Sequence, residues 1–243
     1  MNDSYDPPFE QRFFGDVSRR RVCAIVSFET REAGPVVGTG TAVRHRGELF
    51  VATCAHVAKS LFAGFYGALN FDRLPEVSHE ECIEVFRNDA LDLALLRVRP
   101  RAAGLLHGIH PLEVSDIGTV VDFERAMPDT KRVYCIAGLP GALAQVDNDA
   151  KRITLLPFVF PTVVVRNDRD DHIDFEYEHG LVDGDLLCPE GMSGGLIFEF
   201  MAPGDDELWR PGVAVAVQHA WDPFIERLYC SPAYHLRDAL LRM

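Results

Sequence analysis

The sequence lacks the long apolar segments of a membrane protein or a secreted precursor. Its longest apolar candidate, Ile153–Val165, is interrupted by Pro157 and Pro161 and is shorter than the roughly 20 residues that cross a bilayer. The N-terminal segment Met1–Pro8 has neither a basic region nor an apolar run of the roughly 7–15 residues that a secretory signal needs. We therefore expect a cytoplasmic protein with no membrane partner.

Basic residues are also few. The chain has 24 lysines and arginines against 37 aspartates and glutamates, which gives a formal net charge of −13 at pH 7. Nucleic-acid binding draws on clustered positive charge, and the only dense basic run, Arg19–Arg21, is short and precedes an apolar segment. We therefore expect no nucleic-acid partner.

The cysteines do not have the Cys-x-x-Cys spacing of a zinc site or redox motif. Several of the six lie in apolar segments such as Val22–Val26 and Val133–Ala137, which is typical of buried, reduced thiols. Two polar clusters, His79–Cys82 and Asn167–His172, resemble metal ligands only by composition, and solvated turns are expected there. The sequence thus predicts neither a disulfide framework nor a metal site.

What the sequence does contain is a succession of short, apolar, β-branched segments separated by Gly, Pro, Asn or Asp, the pattern of an all-β protein. The lack of alternating strands and long helices argues against a doubly wound α/β sheet and leaves a sandwich or a barrel. Helices are expected from His56 toward Leu61 and at the C-terminus, with Ser231 as cap and Pro232 in the first turn. The predicted strands are Val22–Phe28, Val36–Arg44, Leu49–Ala52, Cys82–Phe86, Leu93–Val98, Arg132–Ala137, Ile153–Phe160, Ile173–Tyr177, Gly195–Phe200 and Gly212–Gln218.

Two motifs carry a histidine and an aspartate at positions suited to proton transfer. In Phe50–Val57, an apolar strand ends in small residues and delivers His56 where the chain turns. In Asn88–Val98, Asp92 opens an apolar strand, where a carboxylate needs a hydrogen-bond donor such as an imidazole. Taken singly, each residue is more typical of a structural role than of a catalytic one.

A third motif, Pro189–Phe198, carries a serine in a glycine-rich turn. Glycines two residues before and directly after Ser193 relieve crowding and let backbone N–H groups point at an incoming carbonyl oxygen. The apolar segment that follows is expected to anchor this loop as a strand.

Together, Thr53–His56, Asp92–Leu96 and Gly191–Gly195 resemble, in this order, the motifs of the trypsin/chymotrypsin-like serine peptidases. Gly38–Val43 is similar to the strand that precedes the family's histidine. The resemblance implies two six-stranded antiparallel β-barrels with a C-terminal helix and a cleft between the barrels. Because Val57 stands where secreted members carry a cysteine, the chain resembles the intracellular, disulfide-free bacterial branch.

On this resemblance the chain divides into three parts. Residues 1–20 form an N-terminal extension, and residues 21–110 form a first barrel that carries the histidine and the aspartate. Residues 111–243 hold a linker, the second barrel with the serine, and the C-terminal helix. The poorly patterned stretch Arg99–Lys131 agrees with a linker between two strand-rich halves.

The resemblance also implies a role for each residue of the site. His56 would take the proton of Ser193 as the serine attacks the scissile carbonyl, and Asp92 would hold the imidazole. Backbone N–H groups of Gly191 and Ser193 would bind the oxyanion. The expected activity is that of a serine endopeptidase acting on protein or peptide substrates, with no metal or organic cofactor; the sequence does not identify a regulatory partner.

The resemblance places a substrate pocket beside the serine. Leu187 would lie at its floor, and Gln218 and His219 would contribute to a wall. An apolar floor disfavours lysine or arginine at the cleavage position, whereas a shift of one or two residues would bring in Asp185 and reverse that preference.

Two other functions fit parts of the sequence. A trypsin-like chain can serve as a catalytically silent binding or scaffold module. Gly191–Gly195 also satisfies the G-x-S-x-G motif of α/β-hydrolases, with Asp222 and His235 in the required order. The α/β-hydrolase interpretation needs a helix directly after the serine.

Overall fold

The structure is a computed structural model that describes residues 21–28, 36–64, 66–71, 74–126, 132–140, 145–147, 152–154, 158–165, 172–177, 188–201 and 210–243. The strands in these ranges are β1 (Val22–Phe28), β2 (Val36–His45), β3 (Glu48–Thr53), β4 (Tyr66–Phe71), β5 (Val77–Ser78), β6 (Cys82–Asn88), β7 (Leu93–Val98), β8 (Leu112–Glu113), β9 (Val133–Gly138), β10 (Gln145–Asp147), β11 (Arg152–Thr154), β12 (Phe158–Val165), β13 (Ile173–Glu176), β14 (Leu196–Met201), β15 (Arg210–Asp222) and β16 (Arg227–Pro232). The α-helices are α1 (Ala55–Ala63), α2 (Pro100–Ala103), α3 (Val120–Ala126) and α4 (Tyr234–Leu241). No helix among the described residues is long and apolar enough to cross a membrane.

The strands form two units, and the expected all-β class is confirmed. The first unit is an eight-stranded half-barrel in the order β5-β4-β1-β2-β3-β7-β6, with β8 joined to β2 in parallel. The second unit is a closed barrel of six antiparallel strands, β12-β13-β16-β15-β14-β9, and β10 pairs with β11 outside it. The first unit differs from a closed six-stranded barrel in two ways: its end strands β5 and β6 are not paired with each other, and the two-residue strands β5 and β8 bring the number of described strands to eight.

Strand β1 explains how the two units pack together. It is apolar except for Ser27, and six of its seven residues are buried, so both of its faces are covered. Ile25 faces the core of the first unit, whereas Ala24 and Val26 pack against Ala137 and Leu139 at the end of β9. Because alternate residues of a strand point to opposite faces, one largely apolar strand serves both units.

The C-terminal helix begins later than the sequence predicts. Ser231 and Pro232 complete strand β16, and Ala233 is the residue that precedes α4. The expected serine cap is wrong because the Ser231 hydroxyl donates instead to the carbonyl oxygen of Leu91, in the first unit. Helix α4 still buries Leu236 in the same apolar cluster as the first unit.

Other differences from the predicted elements concern short segments. The stretch Arg99–Lys131 contains β8, α2 and α3 as well as irregular backbone. The single strand expected over Ile153–Phe160 corresponds to β11 and to the start of β12, and residues 155–157 between them lie outside the described residues. The proposed domain boundaries remain predictions, and residues 1–20 lie outside the described part of the chain.

All six cysteines are free, and only Cys188 is not buried. Burial raises the pKa of Cys82 and that of Cys135 to about 12, and reaction needs the thiolate. We therefore expect a disulfide-exchange reagent to modify Cys188 alone in the native protein and all six thiols after unfolding without reductant. Thiol titration checks this, and fewer than six reactive thiols in the unfolded protein would contradict it.

Candidate active site

His56 lies in the first turn of α1, directly after the buried strand β3. The side chain of Cys54, at the N-cap, makes no capping hydrogen bond. Asp92 provides the capping hydrogen bond instead: its Oδ1 accepts the backbone N–H of His56 at 2.9 Å. A carboxylate at this position satisfies an otherwise unpaired N–H and is favoured by the helix dipole.

Asp92 also holds the ring of His56. Its Oδ2 lies 2.6 Å from Nδ1 of the imidazole. Burial raises the pKa of Asp92, but the hydrogen bonds from the ring and backbone N–H of His56 outweigh burial and leave the pKa below its usual value. Because the ionised carboxylate can only accept, Nδ1 of the ring carries the proton of this hydrogen bond. The His56 side chain is 52% exposed, so the ring is accessible to solvent.

The backbone of Asp92 is in the left-handed region, with φ +50°. Aspartate tolerates this conformation better than most residues, although it costs free energy. The turn is held from both units: Asn88 Oδ1 accepts the N–H of Leu91 at 3.1 Å, and Ser231 of the second barrel donates to the carbonyl of Leu91. The turn that carries Asp92 is therefore held by one local contact and by one contact, from Ser231, that neighbouring sequence does not supply.

Ser193 lies in the loop that leads into β14. Gly191 and Gly194, on either side of it, have φ +90° and +95°, values that a residue with a side chain rarely adopts. No described residue accepts a hydrogen bond from the N–H of Gly191 or from that of Ser193. The neighbouring N–H groups are all bonded: Met192 to Pro189 O at 2.9 Å, Gly194 to Gln218 O at 2.8 Å and Gly195 to Met192 O at 2.8 Å.

The hydroxyl of Ser193 is not hydrogen-bonded to His56 in this structure. Within the described residues it donates to the backbone carbonyl of His219 at 3.3 Å, which is long for a bond between oxygen atoms. A rotation about the Cα–Cβ bond redirects the hydroxyl, and such rotations are fast for side chains that are not fully packed.

Thr39, on β2, ties the serine loop to the first unit. Its hydroxyl donates to Gly191 O at 2.7 Å and accepts the N–H of Leu139 at 3.0 Å. Its backbone N–H donates to Ser193 O at 2.8 Å. Sequence reasoning missed this residue, although its position between Gly38 and Gly40 in β2 was a local signal.

Replacement of Thr39 by valine keeps the shape of the side chain and removes the hydroxyl. Because the buried N–H of Leu139 and the carbonyl of Gly191 lose their partner, we expect the free energy of unfolding to fall by about 2–4 kcal/mol. The reaction rate of Ser193 with a fluorophosphonate should fall by roughly a hundredfold at a temperature where the variant is folded. Thr39→Ser should restore the rate, and an unchanged rate in Thr39→Val would contradict a positioning role.

No family model matches the sequence, and no curated protein matches it. Solved structures do match. The MamO protease domain from Magnetospirillum magneticum is 16% identical with a TM-score of 0.53, over 91% of this chain and 96% of that one. The Rv3671c protease from M. tuberculosis in its active form is 16% identical with a TM-score of 0.55, over 93% and 82% of the two chains. The serine protease AL20 from an extremophilic microorganism is 10% identical with a TM-score of 0.56, over 93% and 98%.

The fold is that of the trypsin-like serine proteases. At these identities the likeness establishes the fold and not the activity. The fold also excludes the α/β-hydrolase alternative, since strand β14 rather than a helix follows Ser193. Asp222 lies at the end of β15, where its Oδ1 accepts the backbone N–H groups of Phe224 and Ile225, and His235 lies on α4.

The trypsin-like fold brings most of the predicted site residues into one region. His56 and Asp92 are hydrogen-bonded, and Ser193 lies against β15 through His219. Gln218 is buried, and its backbone N–H donates to Gly195 O at 2.9 Å. Leu187, the expected pocket floor, lies outside the described residues.

Donor atoms of Cys54, His56 and Asp92 lie within 4.8 Å of one another, a spacing that a metal ion can bridge. Burial raises the pKa of the Cys54 thiol well above its usual value, and the thiol donates to Gln218 O at 3.2 Å. Metal binding needs the thiolate, and Nδ1 of His56 is already engaged by Asp92. The three residues therefore suit a hydrogen-bonded histidine–aspartate pair better than a metal centre.

Two further histidines, in contact with each other, lie near Ser193. The rings of His219 and His172 make an edge-to-face contact with centroids 5.5 Å apart. Burial, opposed by Asp92 and assisted by His172 and His56, lowers the pKa of His219 to about 4. His219 is therefore neutral at physiological pH and adds no charge next to Ser193.

The lowered pKa of His219 predicts that the free energy of unfolding decreases in acid. Between about pH 6.5 and pH 4 the unfolded chain binds a proton at His219 that the folded chain does not bind, so the free energy of unfolding falls as the pH falls. From pH 7.5 to pH 5 we expect His219 to account for roughly 2 kcal/mol of that loss. Urea unfolding of His219→Gln should show a correspondingly smaller loss, with the exposed His107→Gln as control. An equal loss in wild type and His219→Gln would contradict it.

Proposed function

We propose that this protein is a serine endopeptidase that uses His56, Asp92 and Ser193 as a catalytic triad. The observation that carries the proposal is the double hydrogen bond of Asp92 to the backbone and ring of His56. This arrangement fixes the imidazole in the tautomer and orientation that a general base beside a serine needs. The fold supports it, since serine proteases share this architecture.

The chemistry follows from the positions of these groups. Nε2 of His56 takes the proton of Ser193 as Oγ bonds to the carbonyl carbon of the scissile peptide. The carbonyl oxygen, now negative, accepts hydrogen bonds from the N–H groups of Gly191 and Ser193, which have no acceptor among the described residues. The C–N bond breaks as the imidazolium returns its proton to the leaving amine. Water, deprotonated by His56, then releases the acyl group from Ser193.

Strand β15 supplies an edge on which a peptide could bind. Its pairing with β14 ends at Val217, whereas its pairing with β16 continues to Asp222. Among the described residues, no strand covers the other edge of Ala220–Asp222. A peptide that adds here as a strand would have its scissile bond at Ser193. Protein or peptide substrates therefore fit the proposal.

The substrate preference, the subgroup and the cellular location are also proposals. Leu187 at the pocket floor, with Gln218 and His219 in the wall, would disfavour lysine or arginine before the scissile bond. The six free cysteines support an intracellular, disulfide-free member of the group and a cytoplasmic location.

The proposal is tested by comparing new protein N-termini in a cell extract treated with wild type or with Ser193→Ala. Wild type should generate N-termini that share a residue pattern, and Ser193→Ala should generate none of them. The same set of N-termini in both samples would refute the proposal.

A second candidate, a catalytically silent binding module, is favoured by one observation. The Ser193 hydroxyl is bonded to the carbonyl of His219 rather than to His56. If that bond persists, Ser193 is not activated and the open edge of β15 only binds peptides. Peptide binding by wild type without any cleavage would favour this candidate.

A further inference from the structure

The turn between β15 and β16 presents two apolar side chains to solvent. Phe224 is 94% exposed and Ile225 is 50% exposed. The backbone of the turn is held by two hydrogen bonds: Asp222 Oδ1 accepts the N–H of Phe224 at 2.8 Å and that of Ile225 at 3.4 Å. Pro223 restricts the backbone further. We call Phe224 and Ile225 the β15–β16 tip.

The tip follows the C-terminal end of β15, a few residues beyond the point at which this strand contacts Ser193. The carbonyl of His219 accepts from Ser193, and the strand continues to Asp222 with no described strand paired to its other edge. Asp222 lies three strand residues, or about 10 Å, beyond His219, and the tip follows Asp222 in the turn. An extended peptide along this edge would reach both.

The direction of such a peptide follows from the sheet. Strand β15 is antiparallel to both of its neighbours, and antiparallel addition keeps the favourable hydrogen-bond geometry. A peptide antiparallel to β15 has its C-terminal end at His219 and its N-terminal end toward the tip. Residues on the N-terminal side of the scissile bond therefore run toward Phe224.

We propose that the β15–β16 tip is an apolar subsite for the fourth or fifth substrate residue on the N-terminal side of the scissile bond. The inference rests on the proposed peptidase function and adds a substrate preference to it. The occupant is an aliphatic or aromatic side chain, because the tip offers apolar area and the adjoining Asp222 carboxylate is already engaged by backbone N–H groups. Such a side chain would cover part of the exposed phenylalanine.

The test is a series of fluorogenic peptidyl amides that share the two residues next to the scissile bond. The series extends to six residues on the N-terminal side and carries leucine or aspartate at the fourth and fifth positions. The measured quantity is the ratio of kcat/KM for the six-residue substrate to that for the two-residue substrate. We expect the leucine series to exceed the aspartate series by roughly five- to tenfold in this ratio.

Variants of the tip show whether the preference arises there. Phe224→Ser and Ile225→Ser should reduce the advantage of leucine over aspartate, and the double variant should abolish it. Leu105→Ser is the matched control, since Leu105 is 54% exposed and lies after α2; it should keep the full advantage. Unchanged preference in the double variant overturns the subsite.

Failure of the subsite and failure of the proposed function give different results. If a fluorophosphonate labels Ser193 and short amides are cleaved, but leucine confers no advantage, only the subsite is wrong. If wild type neither reacts with the fluorophosphonate nor cleaves any peptide in the series, both proposals are overturned.

Discussion

Replacement of Ser193 by alanine is expected to lower the rate of peptide hydrolysis by at least about 10⁴-fold. The change removes the attacking oxygen, and loss of a triad member costs several orders of magnitude in turnover. Because Ser193 is only partly buried and its hydroxyl makes one long hydrogen bond, the free energy of unfolding should change by no more than about 0.5 kcal/mol. Hydrolysis of a mixed fluorogenic peptide pool and urea unfolding check the two parts.

The matched control is Ser115→Ala, an exposed serine in the short turn Val114–Asp116, which should leave both quantities unchanged. His56→Ala should be as severe as Ser193→Ala, and the double variant should be no worse than either, because the two residues act as one unit. Hydrolysis by Ser193→Ala within tenfold of wild type would be incompatible with the proposed mechanism.

Replacement of Gly194 by alanine is expected to destabilise the protein by about 3 kcal/mol or more and to abolish activity. An added Cβ would lie 2.0 Å from the carbonyl oxygen of Thr39 and 2.4 Å from Oγ1 of Thr53. Backbone of β2 cannot withdraw without breaking the bond from Thr39 N–H to Ser193 O. The positive φ of Gly194 adds a cost of roughly 1–2 kcal/mol.

The variant Gly47→Ala separates the steric cost of an added Cβ from the conformational cost of a positive φ. Gly47 has φ +82° and nothing within 4 Å of an added Cβ, so its substitution carries the conformational cost alone. We expect the loss for Gly194→Ala, measured by urea unfolding, to exceed that for Gly47→Ala by at least about 2 kcal/mol. Equal losses would mean that the close approach of Gly194 to β2 is not present in solution.

Much of the fold could be predicted because apolar strands and their boundaries leave local signals. Strands such as β1 and β7 coincide with their predicted bounds, since β-branched runs ended by turn residues are local features. The beginning of α4 could not be predicted. Ser231 has the sequence context of a helix cap, but its hydroxyl bonds to Leu91, 140 residues earlier in the chain.

In the candidate site, too, features encoded in neighbouring residues could be predicted, whereas contacts between distant residues could not. The motifs around His56, Asp92 and Ser193 could be recognised from their residue types and order. The role of Thr39 could not, because its bonds to Gly191 and Leu139 join residues 152 and 100 positions apart. Hydrogen bonds across the two units form only after both units are packed.

We propose that Asp92 and His56 activate Ser193 for nucleophilic attack. The reaction of the folded protein with a fluorophosphonate, followed by mass spectrometry of its peptides, measures this activation most directly. We expect one adduct, on Ser193, that is lost in His56→Ala and strongly slowed in Asp92→Asn. No adduct on Ser193 in folded wild-type protein, or an adduct that forms equally fast in His56→Ala, would contradict it.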